Sequence, residues 1–306
     1  MKIAIIDLGT NAARLFIFDI SDSLNSSLVY RERIVLGLGK TLYNNNTLSD
    51  DQIQAGVNAF LGFGSVINDY KPKIIRAIAT SALRTAKNAD QFLKAVKSSS
   101  GIEIEVIPND REAELLAKGI LHNESFDEKN IALIDLGGGS TEIVCCHQGK
   151  VFYSCSLDIG ALKGQFAYLD SYPPTNETIK NLKQVVQEEL QAHLSKIKET
   201  EFKFAIGASG SLRAFGKINK LLSGQKDYDT NFLTEFITKV SSMSLEEIIK
   251  TPGIQTKRAE HILSAAIILQ EILSALGVEE VRPSKFSIKD GLLLEIRQEL
   301  AQEVKI

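Results

Sequence analysis

The chain has few cysteines, no excess of positive charge and no long hydrophobic run. Its 306 residues include three cysteines, too few for a disulfide framework, which indicates a reducing compartment. Lys and Arg total 35 against 38 Asp and Glu, a net charge of -3, and a nucleic-acid coat protein would need a basic excess. No apolar run approaches the roughly 18 residues of a membrane span. We therefore expect a soluble cytoplasmic protein that binds neither nucleic acid nor membrane.

The composition is that of a folded globular protein. Hydrophobic residues make up 44% and charged residues 24% of the chain, which excludes a disordered or low-complexity chain. The length predicts about two domains.

The sequence contains an internal repeat. Residues 3–9 read IAIIDLG and residues 131–137 read IALIDLG, identical at six of seven positions. Each phrase is an apolar strand with an aspartate near its end, and a short turn and a second apolar run follow it, which predicts a β-hairpin in each half.

Helices alternate with strands after each hairpin. The first half is predicted to have a third strand at about 28–36, helices from Ser49, from Ser81 and at about 109–121, and strands at 74–79 and 102–107. The second half is predicted to have strands near 131–136, 142–147, 150–156 and 203–207, and helices at about 175–199, from Ser211 and at about 257–276. We expect domains 1–124 and 125–306, and the last helix could pack back on the first domain. The pattern predicts an α/β fold of two mixed sheets, as in actin-like (ASKHA, ribonuclease H-like) domains with an active-site cleft between them.

A glycine-rich turn in the second half predicts a phosphate site. Gly137, Gly138 and Gly139 let successive backbone N–H groups point at one spot, and the hydroxyls of Ser140 and Thr141 follow. Asp135 and Glu142 flank this turn, and two acids beside an anion repel it unless a cation intervenes. Mg²⁺ is the natural candidate, because one or two carboxylates, waters and substrate oxygens can hold it.

A second anion-binding candidate lies in the first half. Residues 71–89 contain five basic residues and no Asp or Glu. Arg84 lies one turn inside a helix that starts near Thr80 and Ser81, so free N–H groups, two hydroxyls and a guanidinium could bind phosphate together. Glu112, by its residue type alone, is an acid favoured in a first helical turn.

The chain resembles the exopolyphosphatase and guanosine pentaphosphate phosphohydrolase (Ppx/GppA) family. The resemblance covers nearly the whole chain through IDLGTNAARL (6–15), ATSALRTAKN (79–88), EAELL (112–116), IDLGGGSTEI (134–143), SLDIGALK (156–163) and GASGSLRA (207–214). It implies hydrolysis of terminal phosphate from polyphosphate or from pppGpp, a nucleotide of the stringent response, with Mg²⁺. It also suggests a homodimer.

The resemblance assigns roles to single residues. Glu112 matches the catalytic glutamate, and Asp135 and Glu142 match the metal-associated acids. The phosphate-contacting positions are matched by Thr10, Asn11, Arg84, Gly137, Gly138, Gly139, Ser140 and Thr141, and the glycine loop of the second domain by Gly207 and Gly210. Glu112 would orient the attacking water and take its proton.

The chain departs from the family pattern at several positions. Arg111 and Glu114 exchange the charges that usually flank the catalytic glutamate, and their spacing predicts a helix-surface pair. Lys163 and Lys289 replace arginine, so bidentate phosphate contacts are not expected there. Longer family members carry C-terminal helical domains, and we expect a short form without them.

Two other functions stay open at this point. One is an actin-fold kinase that passes the γ-phosphate of ATP to a small acceptor. The other is a sensor that binds pppGpp or polyphosphate without hydrolysing it.

Overall fold

Strands and helices alternate along the chain largely in the predicted order. The computed structural model describes residues 1–21, 25–126, 129–197 and 200–303. The strands are β1 (Lys2–Leu8), β2 (Ala12–Ile20), β3 (Ser26–Val35), β4 (Ile74–Ala79), β5 (Glu105–Val106), β6 (Asn130–Leu136), β7 (Thr141–His147), β8 (Lys150–Leu157), β9 (Phe204–Gly207), β10 (Tyr228–Asp229) and β11 (Glu280–Pro283). The helices are α1 (Gly39–Asn45), α2 (Asp50–Tyr70), α3 (Ser81–Thr85), α4 (Ala89–Ser100), α5 (Asn109–Leu121), α6 (Ala161–Gly164), α7 (Asn176–Ile197), α8 (Gly210–Ser223), α9 (Thr230–Val240), α10 (Leu245–Lys250), α11 (Thr256–Ala259), α12 (Ile262–Leu276) and α13 (Ile288–Glu303).

The chain divides into two units at points that lie in or beside helices. One unit comprises Met1–Arg111 and Lys289–Ile306, and the other comprises Glu112–Ile288. The first division therefore falls inside α5, and the second falls at the start of α13. The sequence predicts a single boundary after residue 124, whereas the first division lies at Arg111 and α13 from Lys289 onward belongs to the first unit.

The first unit has a five-stranded mixed sheet in the order β3-β2-β1-β4-β5. Strands β1, β2 and β3 pair antiparallel, and β4 and β5 join parallel to β1. β1 is buried along nearly its whole length, as expected of a central strand that is covered on both faces. A capping box between Ser49 and Gln52 starts α2 where the sequence predicts it.

The second unit repeats this plan with six strands. Its order is β10-β11-β9-β6-β7-β8, with β6, β7 and β8 antiparallel and β9 parallel to β6. Helix α12 is almost entirely apolar and is buried in the core of this unit. Two mixed sheets flanked by helices confirm the predicted fold class.

Three predicted elements differ from the structure. The helix expected from Ser81 ends at Thr85, and α4 follows it as a separate helix. The strand expected at 102–107 is only Glu105–Val106. The helix expected at 257–276 is divided into α11 and α12 near Glu260. The Tyr172 hydroxyl lies 3.2 Å from the carbonyl oxygen of Glu260, a tertiary contact that local periodicity does not encode. Residues 198 and 199, at the predicted end of α7, lie outside the described residues.

Among the described residues, no helix combines the length and the apolarity that crossing a membrane requires.

Candidate functional site

The two glycine-rich segments of the second unit lie at the same edge of its sheet. The hairpin turn between β6 and β7 is closed by a hydrogen bond from Gly137 N to Ser140 O at 3.0 Å. Strands β6 and β9 are parallel, with Ile134 opposite Gly207, and Ala208 N donates to Ile134 O at 2.9 Å. The carboxyl ends of adjacent parallel strands therefore bring both segments together, as in other ligand sites of mixed sheets.

The first turn of α6 fixes the orientation of the β6–β7 turn. Ala161 N donates to Gly137 O at 2.9 Å, and Leu162 N and Lys163 N donate to Gly138 O at 2.9 and 3.0 Å. In a trans peptide the C=O and the following N–H point in opposite directions. The N–H groups of Gly138 and Gly139 are therefore directed away from α6, and two neighbouring N–H groups of this kind can bind an anion.

Gly160 permits this close contact between α6 and the turn. A Cβ atom at Gly160 would lie 2.7 Å from Gly138 C and from Gly139 N, closer than carbon atoms approach in proteins. The φ of Gly160 is -146°, an extended value that any residue adopts. The requirement for glycine here comes from the contact with the turn.

Thr141 and Ser140, both predicted phosphate contacts, are buried beside this turn. The Thr141 hydroxyl donates to Ile159 O at 2.6 Å, so it ties the turn to the segment before α6. Phosphate contact by either hydroxyl stays a prediction.

Asp135 and Glu142 are paired across the β6–β7 hairpin. Residues opposite each other in an antiparallel pair point to the same face, with Cβ atoms about 4.5–5.5 Å apart. Glu142 is only 1% exposed and accepts a hydrogen bond from Ser156 Oγ at 3.0 Å. Within the described part of the chain, no group of three or more His, Cys, Asp or Glu side chains could hold a metal ion. The two carboxylates fit Mg²⁺, because this ion is commonly coordinated by one or two protein carboxylates, with water and substrate oxygens as its remaining ligands.

Glu112 is the fourth residue of α5 and is 7% exposed. Two residues separate β5 from α5, and Glu112 is the first residue of the second unit. A carboxylate this buried is costly unless other groups bind it, and Glu112 does have interaction partners. Its neighbour Glu114 is exposed and forms an ion pair with Lys118 at 2.6 Å. The predicted pair between Arg111 and Glu114 stays a prediction.

The second glycine segment caps α8. The Ser209 side chain accepts hydrogen bonds from Ser211 N and Leu212 N, both at 3.1 Å, and Gly207 O accepts from Ser284 N at 2.9 Å. The guanidinium of Arg258 packs directly on Gly210, where a Cβ atom would overlap it. Sequence reasoning did not find Arg258, which is 48 positions further along the chain in a polar stretch without a motif.

The predicted residues of the first unit lie at the corresponding edge of its own sheet. Thr80 N donates to Leu8 O at 3.2 Å, which brings the start of α3 beside the β1–β2 turn containing Thr10 and Asn11. Arg84 Nη1 donates to Ile107 O at 2.9 Å. Arg14, which was not among the predicted site residues, forms an ion pair with Asp7 at 2.7 Å.

Lys163 and Lys289, where the resemblance would expect arginine, both have acidic partners. Lys163 Nζ lies 2.8 Å from Asp158, and Lys289 Nζ lies 2.5 Å from Asp290.

The three cysteines are free and are buried in strands β7 and β8. Burial raises the pKa of Cys145, Cys146 and Cys155 from 9.0 to about 12, and the nearby Glu142 charge adds to the rise of the Cys155 pKa. A thiol needs its thiolate form to act as a nucleophile or metal ligand, so these residues belong to the core.

Comparisons with known proteins point to one family. The Ppx/GppA phosphatase family model matches residues 16–300. A guanosine-5'-triphosphate,3'-diphosphate pyrophosphatase of Photobacterium profundum is 25% identical over 299 residues, covering 97% of this chain and 59% of that protein. A bifunctional 3-dehydroquinate synthase/phosphatase of Fusobacterium nucleatum is 29% identical, covering 95% of this chain and 46% of that protein. The chain spans about half the length of these curated relatives.

Solved structures show the same fold. An exopolyphosphatase from Cytophaga hutchinsonii superposes with a TM-score of 0.87 at 21% identity, covering 98% of each chain. A Ppx/GppA family member from Aquifex aeolicus superposes with a TM-score of 0.78 at 25% identity, again covering 98% of each chain.

Proposed function

Since the chain belongs to the Ppx/GppA phosphatase family, we propose that it hydrolyses phosphoanhydride bonds and releases terminal orthophosphate from inorganic polyphosphate, from pppGpp or from both. The observation that carries the proposal is the β6–β7 turn, whose N–H groups are directed away from α6 beside two carboxylates on one face. An anion site next to paired oxygen ligands suits a substrate that arrives with a divalent cation. Relatives named for each substrate support both choices.

In the proposed reaction a water molecule attacks the terminal phosphorus in line with the bridging oxygen. Glu112 orients this water and accepts its proton as the new P–O bond forms and the bridging P–O bond breaks. General-base help of this kind contributes about 10²–10⁴-fold.

The remaining residues position and stabilise the phosphoryl group. The N–H groups of Gly138 and Gly139 and the guanidinium of Arg84 would bind its equatorial oxygens, while Thr10, Asn11 and the Gly207–Gly210 segment would bind neighbouring phosphates. Asp135 and Glu142 would hold Mg²⁺, which when bound supplies charge neutralisation. Catalysis of phosphoryl transfer is mostly positioning and electrostatic stabilisation of this kind.

The decisive measurement is phosphate release on pppGpp, short polyphosphate and long polyphosphate in parallel, with Mg²⁺ present. We expect release from at least one of them by the unaltered protein. Glu112→Gln keeps the shape of the side chain and removes its basicity, so it should lower kcat by about 10²–10⁴-fold. Glu114→Gln is the matched control, because Glu114 is an exposed acid on the same helix, and it should leave kcat unchanged.

Other outcomes would contradict the proposal. Near-normal turnover by Glu112→Gln would remove its assigned role. ADP formation from ATP that depends on an added acceptor would indicate a kinase. Tight Mg²⁺-dependent binding of pppGpp or polyphosphate without phosphate release would indicate a sensor.

A further inference from the structure

An ion pair joins the first turn of α5 to α13. Arg111, the residue before Glu112, donates from Nη1 to Glu295 Oε1 at 2.8 Å and from Nη2 to Glu295 Oε2. The Arg111 side chain is 31% exposed and that of Glu295 is 14% exposed, so both are largely withdrawn from bulk water. Two parallel bonds between a guanidinium and a carboxylate fix orientation as well as distance.

The stability of α5 by itself does not explain an arginine at this position. Arg111 is the third residue of the helix, and the positive end of the helix dipole disfavours a cation in the first turn. The charge of Glu295 compensates this unfavourable position. The side chain is therefore used for a tertiary contact.

Glu295 belongs to a helix that packing holds in place. Leu292, Leu293 and Ile296, on both sides of it in sequence, are buried. The carboxylate of Glu295 is thus presented from a packed helix, and it can serve as a fixed anchor for Arg111.

The ion pair with Glu295 restrains the first turn of α5, which contains Glu112. The first four N–H groups of a helix have no partner within the helix, so its first turn is the part most easily loosened. Adjacent residues of a helix are about 100° apart around its axis, so holding Arg111 in place also sets the direction of the Glu112 side chain.

We infer that Arg111 is a positioning residue that acts through Glu295 to hold the Glu112 carboxylate in its reactive orientation. This inference rests on the proposed hydrolysis and on the role of Glu112 in it.

The test compares two variants of the pair with a matched ion pair. Glu295→Gln removes the negative charge that binds Arg111. Arg111→Lys keeps the positive charge but cannot form two parallel hydrogen bonds with one carboxylate. The control is Glu299→Gln, because Glu299 also connects α13 to another element of the same unit. It pairs with Arg76 of β4 at 3.3 Å, but this pair is exposed, with side chains 54% and 45% exposed.

We expect Glu295→Gln and Arg111→Lys each to lower kcat about 10- to 100-fold, the size of loss expected from small misplacements of a catalytic group. KM should change little, because Glu112 contacts the water rather than the bound phosphates. The double variant should lose no more than the worse single variant, since both changes break one contact. Glu299→Gln should keep the kcat of the unaltered protein.

A merely structural role would lower the thermal midpoint and leave kcat of the folded protein unchanged. Normal kcat in both Glu295→Gln and Arg111→Lys, or additive losses in the double variant, would overturn the inference. If Glu112→Gln is still inactive in that case, the proposed function stands. Absence of phosphate release by the unaltered protein would instead overturn the proposed function, and the inference with it.

Discussion

Burial determines which side chains need hydrogen-bond partners and which stay protonated. Glu142 is almost fully buried and keeps a hydrogen bond from Ser156, because an unpaired buried carboxylate would be costly. The thiols of Cys145, Cys146 and Cys155 are buried in the same unit, and burial raises their pKa so that they stay protonated at neutral pH. Sequence proximity to the glycine turn therefore does not make a residue reactive.

The thiols predict how stability depends on pH. Their pKa is raised by burial from 9.0 to about 12, so above pH 9 the unfolded chain releases protons that the folded chain keeps. The stabilisation that the neutral thiols provide is complete below pH 9 and is lost as pH rises toward 12. We expect the free energy of unfolding to fall over this range.

Denaturant unfolding of the unaltered protein and of Cys155→Ala at a series of alkaline pH values would measure this effect. The variant is less stable at every pH because it leaves a cavity, but its pH slope should be shallower. Equal slopes would show that Cys155 does not titrate as described.

Among the elements, the contact between α6 and the β6–β7 turn orders the N–H groups that we propose bind phosphate. Three hydrogen bonds from the start of α6 hold the carbonyl groups of the turn. The distance between the two segments is set by Gly160, which has no side chain. A short helix thus determines the direction of the peptide planes in a neighbouring hairpin.

Gly160→Ala tests this arrangement. The added methyl group would press on the backbone of Gly138 and Gly139, which should cost about 1–3 kcal/mol as overpacking does. We expect a lower thermal midpoint and a raised KM, because the displaced turn would bind phosphate less well.

Gly62→Ala is the control for Gly160→Ala. Gly62 lies inside α2, and a Cβ atom there would meet no atom within 4 Å. This change should raise stability by about 0.5–1 kcal/mol through helix propensity and leave KM unchanged. A Gly160→Ala protein with normal stability and KM would contradict the close contact.

In the whole molecule, one unit is a single continuous segment of the chain and the other combines two segments. The unit Glu112–Ile288 is continuous, whereas the other combines Met1–Arg111 with Lys289–Ile306. Helix α13 supplies buried residues and the partner of Arg111 to the discontinuous unit. Each unit has its own sheet and hydrophobic core.

This difference predicts how fragments fold. A fragment of residues 112–288 should unfold in one cooperative transition, because its sheet and core are complete within it. A fragment of residues 1–111 should lack cooperative unfolding until residues 289–306 are fused to its end by a flexible linker. Urea unfolding followed by circular dichroism would measure both, and cooperative unfolding of 1–111 alone would show that α13 is dispensable.

The sequence by itself determined the features that depend on neighbours along the chain. The repeated IDLG phrases predicted two hairpins, and the sequence put Asp135 and Glu142 on either side of one turn. The structure then showed that the two residues lie opposite each other. The apolar patterns and helix-cap residues likewise predicted long helices such as α2, α7 and α12 and both mixed sheets, because burial of one face imposes a period on the residues that form it. The shorter helices α1, α6, α9 and α10 were not predicted.

Contacts between distant segments could be seen only in the folded protein. Arg111 and Glu295 are 184 positions apart, Arg258 packs on Gly210, Gly160 approaches Gly138, and Tyr172 contacts the junction of α11 and α12. None of these pairs leaves a periodic signal, because each depends on how whole elements pack against one another, and a residue's type and local spacing are the same whether or not the distant partner is present.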